Sequence, residues 1–144
     1  MIDLDTVKPG ADLRGADLAH TDLAHTDLAG RDLTGADLFR SYLAAADLRG
    51  AKLIDTDLTC ADLSGANLTG ADLRGATLVR AYLTAATLVG AALTGGNLGG
   101  ANLRGANLRD ATLAGVNLTG AIYNALTVWP DGFDPAAAGA VLVD

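Results

Sequence analysis

Leucine recurs at every fifth position of this 144-residue chain, from Leu13 to Leu118 without a break. These leucines define 22 consecutive five-residue units over residues 11–120. Such a period does not fit an α-helix, on which successive leucines would lie about 140° apart, or a flat strand, on which they would alternate between faces. A short extended piece followed by a right-angled corner satisfies both restrictions, because four units then close a square with every leucine pointing to one axis. The sequence therefore predicts an all-β solenoid.

The other positions of the unit are almost as regular. The residue two before each leucine is Ala in 15 units, and in an extended piece it shares the inward face of the leucine. The residue just before the leucine is Asp in ten units and Asn in five, and the residue two after it is Gly in 13. All 17 acidic residues of the chain are Asp, which prefers turns, whereas Glu prefers helices. Asp, Asn and Gly are therefore expected outside or at the corners.

Runs such as "ADLRGADL", "GANLTGADL" and "GANLRGANL" resemble the A(D/N)Lxx signature of pentapeptide-repeat proteins over about three quarters of the chain. The resemblance implies a right-handed quadrilateral β-helix with four pentapeptides per coil, so that 22 units give about 5.5 coils. Residues 1–10 are then an N-terminal lead-in, in which Leu4 and Val7 cover the first coil. Residues 11–120 are the β-helix, and residues 121–144 are a C-terminal cap.

The C-terminal segment departs from the repeat. Tyr123 stands where a leucine is expected, and Trp129 and Phe133 follow it. We predict that these aromatic residues cap the end of the solenoid. A homodimer surface at this end is the alternative, with a monomer favoured. Because Pro is well suited to the first position of a helix, Pro135 can begin a short helix through residues 136–138.

One residue conflicts with the inward pattern. Arg31 occupies the position two before a leucine, which is small in almost every other unit. An unpaired guanidinium in an apolar core would be very costly. We therefore predict a local backbone distortion near residues 30–32 that lets Arg31 reach solvent.

Residues 20 apart should stack on one face, so surface ladders can be derived from the sequence. One of them contains Asp17, Asp37 and Asp57. Residues 11–65 carry ten Asp against five Arg and Lys, whereas residues 66–120 carry two Asp against four Arg. The acidic half either solvates the repeats or contacts a basic groove.

Some pentapeptide-repeat proteins are similar to B-form DNA in shape and charge, and they bind DNA gyrase and topoisomerase IV and confer quinolone resistance. The resemblance therefore implies DNA mimicry toward a type II topoisomerase as one hypothesis. The present chain departs from those proteins in its uniformly leucine core, its lack of inserted loops and its weakly charged shaft, which carries twelve Asp against nine Arg and Lys. Each departure weakens that hypothesis.

A second surface interrupts the repeat twice, 40 residues apart, as "FRSYLAAADL" at 39–48 and "VRAYLTAATL" at 79–88. With 20-residue coils, both Tyr and both Arg fall on one edge, roughly 10 Å apart. Exposed Tyr and Arg are enriched at binding hot spots. They are either neutral remnants of a duplication or a ridge that contacts a protein. The candidate residues of this ridge are Phe39, Arg40, Tyr42, Asp62, Arg80 and Tyr82.

The sequence offers little for catalysis. His20 and Cys60 share a corner ladder but stand about 10 Å apart, beyond hydrogen-bonding reach. No spacing typical of metal ligands or of a phosphate-binding loop occurs, so we expect no cofactor and no bound metal. The interpretation is a non-catalytic rigid scaffold for an unknown protein partner, with DNA mimicry as the alternative and an enzyme as a distant third.

Charge and hydropathy restrict the other partners and the compartment. The net charge of −7 disfavours direct binding to nucleic acid, which needs clustered Lys and Arg. No apolar run is long enough to cross a membrane, and we expect no membrane association. Because no signal peptide is seen, a cytoplasmic location is expected.

Overall fold

The computed structural model describes residues 8–144. Residues 1–7 lie outside this range, and so do the predicted contacts of Leu4 and Val7 with the first coil. Residues 8–10 form a turn that leads directly into the first five-residue unit.

The chain forms a right-handed quadrilateral β-helix in which one coil takes 20 residues. From Asp17 to Asn102, parallel bridges join each residue before a leucine to its equivalent one coil later, as in the series Asp17, Asp37 and Asp57. Between two coils, the Leu38 amide donates a 2.7 Å hydrogen bond to the Asp57 carbonyl oxygen, and the Asp57 amide donates a 3.1 Å bond to the Ala36 carbonyl oxygen. The fold and the coil period predicted from the leucine spacing are confirmed.

The leucines fill the interior of the shaft. Every leucine of the 22 units except Leu113 is at most 1% exposed, and Leu113 is partly buried near the C-terminal end. The alanines two positions earlier are also buried through the middle of the shaft, where they pack beside the leucines. Burying one leucine contributes roughly 1.5–3 kcal/mol, so this uniform core stabilises the fold without aromatic residues.

Each corner is a tight turn between two short extended pieces. A backbone hydrogen bond closes it, as where the Ala61 amide donates to the Leu58 carbonyl oxygen over 3.0 Å. The residue two after the leucine has a positive φ in all 22 units, between 53° at Arg40 and 73° at Gly120. This left-handed conformation is free of steric cost for glycine alone, which explains why glycine dominates the position.

The repeat continues past residue 120 with one extra residue. Asn107 bridges Val128, which is 21 residues later instead of 20. The Gly105 amide therefore finds no backbone carbonyl in the next coil. It donates instead to the side-chain oxygens of Asn124, over 3.0 Å, and Thr127, over 3.2 Å. Two side chains thus accommodate the inserted residue within the coil.

Aromatic residues cover the C-terminal end of the core. The Tyr123 and Trp129 rings meet edge to face with centroids 5.4 Å apart, and the Trp129 and Phe133 rings stack at 5.3 Å. All three pack against the buried leucines and alanines. This placement matches that of an end cap, and the alternative of a homodimer through this end stays a prediction.

Two short parallel strands finish the chain. Strand β1 is Ile122–Tyr123 and strand β2 is Val141–Leu142, with Ile122 opposite Val141. The prediction of a short helix between them was wrong, because residues 135–139 form a turn. The turn ends at Gly139, whose φ of 96° redirects the chain into β2 before a helix can extend.

The prediction of a distorted backbone near Arg31 was also wrong. The Arg31 amide donates a 3.1 Å bond to the Leu28 carbonyl oxygen, and the Lys52 amide donates a 2.9 Å bond to the Arg31 carbonyl oxygen, as in any other unit. The half-buried guanidinium instead donates a 2.8 Å bond to the carbonyl oxygen of Ala11 in the first coil. The side chain is accommodated because its slot lies one coil from the N-terminal end of the shaft.

Candidate interaction face

Tyr42 and Tyr82 stand on one side of the β-helix, which we call the tyrosine face. Its outward ladder consists of Asp22, Tyr42, Asp62, Tyr82, Asn102 and Ile122. Asp62 is bridged to Tyr42 in the preceding coil and to Tyr82 in the following one. The tyrosine side chains protrude, with exposed fractions of 56% and 53%. The structure therefore brings together the ridge residues that the 40-residue spacing indicated.

An open groove of ≈ 490 Å³ lies between the two tyrosines. Tyr42 and Tyr82 border it, and Cys60, Asp62 and Ser64 of the intervening coil form its floor. The Ser64 amide donates a 3.0 Å hydrogen bond to Oδ1 of Asp62, which holds that carboxylate in place. The groove exists because the intervening coil carries short side chains between two coils that carry tyrosine.

The two arginines of the ridge lie along the adjoining corner. The Arg40 guanidinium carbon is 5.4 Å from the centroid of the Phe39 ring. The His20 and Phe39 rings meet edge to face, with their centroids 5.6 Å apart. The aliphatic part of Arg80 lies against Gly100, where an added Cβ would come within 3.3 Å of its Cγ. Neither arginine forms an ion pair within residues 8–144, so both charges remain available to a partner.

Sequence reasoning missed the role of the residue just before each leucine. Asp57 Oδ1, for example, accepts a 2.9 Å hydrogen bond from the amide of Thr59, two residues later. The same bond is made by all ten Asp and all five Asn at this position of the repeat. Such Asx turns satisfy a corner amide that the ladder leaves unpaired. The signal was present in the exclusive use of Asp over the longer Glu.

The two tyrosines occupy this capping position but cannot cap. Within residues 8–144, the amides of Ala44 and Thr84 have no side-chain acceptor, whereas an Asp or Asn at position 42 or 82 would supply one, as Asp62 does for Ser64. Thr77 and Thr87 are also uncapped, on the two neighbouring faces, and so are three residues of the fourth face, Lys52, Ala92 and Thr112. A hydrogen bond of this kind contributes about 0.5–1.5 kcal/mol, so the tyrosines are retained at a cost in stability.

Backbone strain is concentrated around the same face. Nine residues other than glycine have positive φ within residues 8–144. Seven of them lie on the two corner ladders that border the tyrosine face, and these are His20, His25, Arg40, Ala45, Cys60, Arg80 and Ala85. A left-handed conformation costs a residue with a Cβ roughly 1–2 kcal/mol. The strained corners are therefore gathered beside the tyrosines.

The family is decided by comparison with known proteins. The model of the pentapeptide-repeat family matches the chain in overlapping segments from residue 10 to residue 122, with eight copies of the repeat. The chain is a pentapeptide-repeat protein. Comparison with curated proteins gave no significant match.

Several solved pentapeptide-repeat structures are similar to this one. Rfr23 from the cyanobacterium Cyanothece 51142 is 32% identical with a TM-score of 0.66, over 80% of this chain and 88% of that one. HetL from Nostoc sp. strain PCC 7120, a protein involved in heterocyst differentiation regulation, is 29% identical with a TM-score of 0.51, over 91% and 72%. The plasmid-mediated fluoroquinolone resistance protein QnrB1 also matches, at 18% identity with a TM-score of 0.38, over 92% of this chain and 86% of that one.

The acidic ladder of this pentapeptide-repeat protein lies on the face next to the tyrosine face. Asp17, Asp37 and Asp57 are bridged in sequence and are exposed, as the 20-residue period predicted. Each carboxylate also accepts a hydrogen bond from the amide two residues later. The ladder therefore has a structural role in the corners whether or not it also contacts a partner.

Three arginines of the repeats pair with the capping carboxylate of their own unit. Arg49 lies 2.6 Å from Asp47, and its hydrogen bonds hold the pKa of that carboxyl below the usual range. Arg74 lowers the pKa of Asp72 in the same way. On the first coil, the hydrogen bond from the Arg14 side chain lowers the pKa of Asp12 to about 2.

Metal-ligand clusters and membrane-spanning helices are not found among residues 8–144. Among residues 8–144, no three His, Cys, Asp or Glu side chains are grouped so that they could hold a metal ion. Within the same part of the chain, no helix is long and apolar enough to span a membrane. The corner positions of His20 and Cys60 are separated by Arg40 and two coils, roughly 10 Å.

Proposed function

We propose that this pentapeptide-repeat protein is a non-catalytic rigid scaffold that binds another protein through the tyrosine face. The observation that carries this proposal is the presence of Tyr42 and Tyr82 at positions where Asp or Asn would cap a corner amide. Both side chains are more than half exposed and contribute nothing to the core. A residue that lowers the stability of its own fold and protrudes into solvent is best explained by contact with a partner.

The rest of the shaft supports this role by its rigidity. Backbone hydrogen bonds join every pair of neighbouring coils, and the interior is filled by leucine and alanine. Side chains on such a surface are held at fixed separations before a partner arrives. Preorganisation of this kind favours binding, because little conformational freedom is lost when the complex forms.

The proposal is tested by affinity capture from the native lysate with three forms of the protein. The first is wild type, and the second carries Tyr42→Asn and Tyr82→Asn, which remove the rings and supply the missing caps. The third carries Thr77→Asn and Thr87→Asn, which add the same caps on the neighbouring faces. At least one protein should be retained by wild type and by the threonine variant and lost with the tyrosine variant. Retention of every captured protein by the tyrosine variant would remove the proposal.

DNA mimicry toward a type II topoisomerase stays a prediction based on Asp17, Asp37 and Asp57. A supercoiling assay with purified gyrase tests it directly. Mimicry requires inhibition of supercoiling, or protection of gyrase from a quinolone, at micromolar protein. It also requires that Asp17→Asn with Asp37→Asn and Asp57→Asn abolish the effect, because Asn retains each cap and removes only the charge. No effect of the wild-type protein would eliminate this hypothesis.

A further inference from the structure

We infer that the groove between Tyr42 and Tyr82 binds a primary ammonium group, the side chain of a lysine on the partner, with Asp62 as its counter-charge. This inference rests on the proposed function, because the lysine belongs to the protein that the tyrosine face would bind. It adds the chemical class of the group that is recognised.

The spacing of the tyrosines suits a cation between them. Tyr42 and Tyr82 are two coils apart, or roughly 10 Å at the usual strand spacing. A cation midway between them would lie about 5 Å along the shaft from each ring, inside the range of about 6 Å for cation–π attraction. Two aromatic rings on adjacent coils would leave no such space. The intervening short residue, Asp62, keeps the space open.

Asp62 supplies the negative charge at the floor of the groove. Its Oδ1 accepts the bond from the Ser64 amide, and Oδ2 has no hydrogen-bond or ion-pair partner in the described chain. By contrast, Asp47 and Asp72 on other faces are each neutralised by an arginine two residues later. Position 64 is a serine, so no arginine of the same unit competes for Asp62.

The two arginines beside the groove are drawn away from its floor. Arg40 borders the groove, but its guanidinium lies over the Phe39 ring, on the corner side. The Cγ of Arg80 lies beside Gly100 in the following coil, and Arg80 is not among the residues that line the groove. The carboxylate of Asp62 is therefore the charge on the floor of the groove, and the Arg40 guanidinium lies at its corner edge.

The chemistry of the Asp62 carboxylate favours a primary ammonium over other groups. A primary ammonium has three N–H donors, so it can donate to the carboxylate while its charge lies between the two rings. A quaternary ammonium has no N–H to donate, and an apolar side chain would leave the carboxylate unpaired.

The test uses n-butylammonium chloride, which reproduces the end of a lysine side chain, and ¹⁵N-labelled protein at constant ionic strength. Saturable shifts of the amide signals of residues 42, 62 and 82 are expected with butylammonium and not with the neutral analogue 1-butanol. Asp62→Asn should weaken binding by about fivefold or more, because it removes the charge. It retains the oxygen that caps the Ser64 amide, so the fold is preserved. Asp57→Asn, which removes one charge from the neighbouring face, should change the affinity by less than about twofold.

Two results would overturn the inference. The first is no saturable shift at these residues with butylammonium. The second is an equal loss of affinity in Asp57→Asn and Asp62→Asn, since that would show a general effect of negative charge. The ammonium site can fail while the proposed function holds. A captured partner that is lost with the tyrosine variant but kept by Asp62→Asn would refute the ammonium site and leave the tyrosine face as the interface.

Discussion

Oδ1 of Asp57 accepts a 2.9 Å hydrogen bond from the backbone amide of Thr59. Because the equivalent bond recurs at every Asp and Asn that precedes a leucine of the repeat, these residues are structural caps as well as surface charges. An acidic ladder in this fold is therefore insufficient by itself to indicate a basic partner. Positions of the repeat that lack a capping Asp or Asn are more informative about a binding surface.

The cap can be measured at Asp57. Asp57→Ala should lower the free energy of unfolding by about 0.5–1.5 kcal/mol, the usual contribution of one such hydrogen bond. Asp57→Asn should cost much less, because its side-chain oxygen can accept the same bond. Chemical denaturation of the two variants checks the expectation. Equal destabilisation by Ala and Asn would mean that the carboxylate acts through its charge.

Strain at the corners can be measured on one ladder. Ala45→Gly and Ala85→Gly should each stabilise the protein by about 0.5–1 kcal/mol, because glycine adopts the positive φ of these corners without steric cost. Gly65→Ala, between them, should destabilise it by a similar amount. No heavy atom lies within 4 Å of a Cβ added at Gly65, so the effect there would come from the backbone alone. Thermal unfolding of the three variants decides this, and destabilisation by Ala85→Gly would contradict it.

Acid should destabilise the shaft in a defined range. The pKa values of Asp12, Asp47 and Asp72 are lowered in the folded state, that of Asp12 to about 2. Their stabilising effect is complete above the unfolded pKa of about 3.9 and is lost as the pH falls toward the folded values. Unfolding midpoints measured from pH 7 to pH 2 should therefore be level above about pH 5 and then fall. In the double variant with Asp47→Asn and Asp72→Asn, the unfolding midpoint should fall less at low pH. A profile identical to that of wild type would contradict this account.

Most of the fold could be predicted because one physical requirement, an inward leucine in every unit, repeats 22 times. That requirement sets the coil of four units and hence which residues stack, including Tyr42 with Asp62 and Tyr82. The bridges of the structure follow those ladders. The C-terminal end was less predictable, because the extra residue before Thr127 is accommodated by side-chain hydrogen bonds that have no repeat to reveal them.

Two local predictions failed for identifiable reasons. Arg31 lies only one coil from the end of the shaft, where its long side chain can reach the carbonyl oxygen of Ala11 without a change in the backbone. At Pro135 the preference for a helix start was outweighed by Gly139, which leads the chain into the pairing of β2 with β1. The sequence offered a protein-contact ridge as one hypothesis. The loss of stability at its two tyrosines follows only from the capping hydrogen bonds of the structure.

The central claim is that Tyr42 and Tyr82 are kept for binding at the expense of stability. The most direct measurement compares two double variants, one with Tyr42→Asn and Tyr82→Asn and the other with Thr77→Asn and Thr87→Asn. The unfolding free energy and the affinity for a captured partner are measured for each. Both double variants should be more stable than wild type by about 1–3 kcal/mol, since each gains two caps. The tyrosine variant alone should lose affinity, by about thirtyfold or more. Equal affinity of the two variants for that partner would contradict the claim.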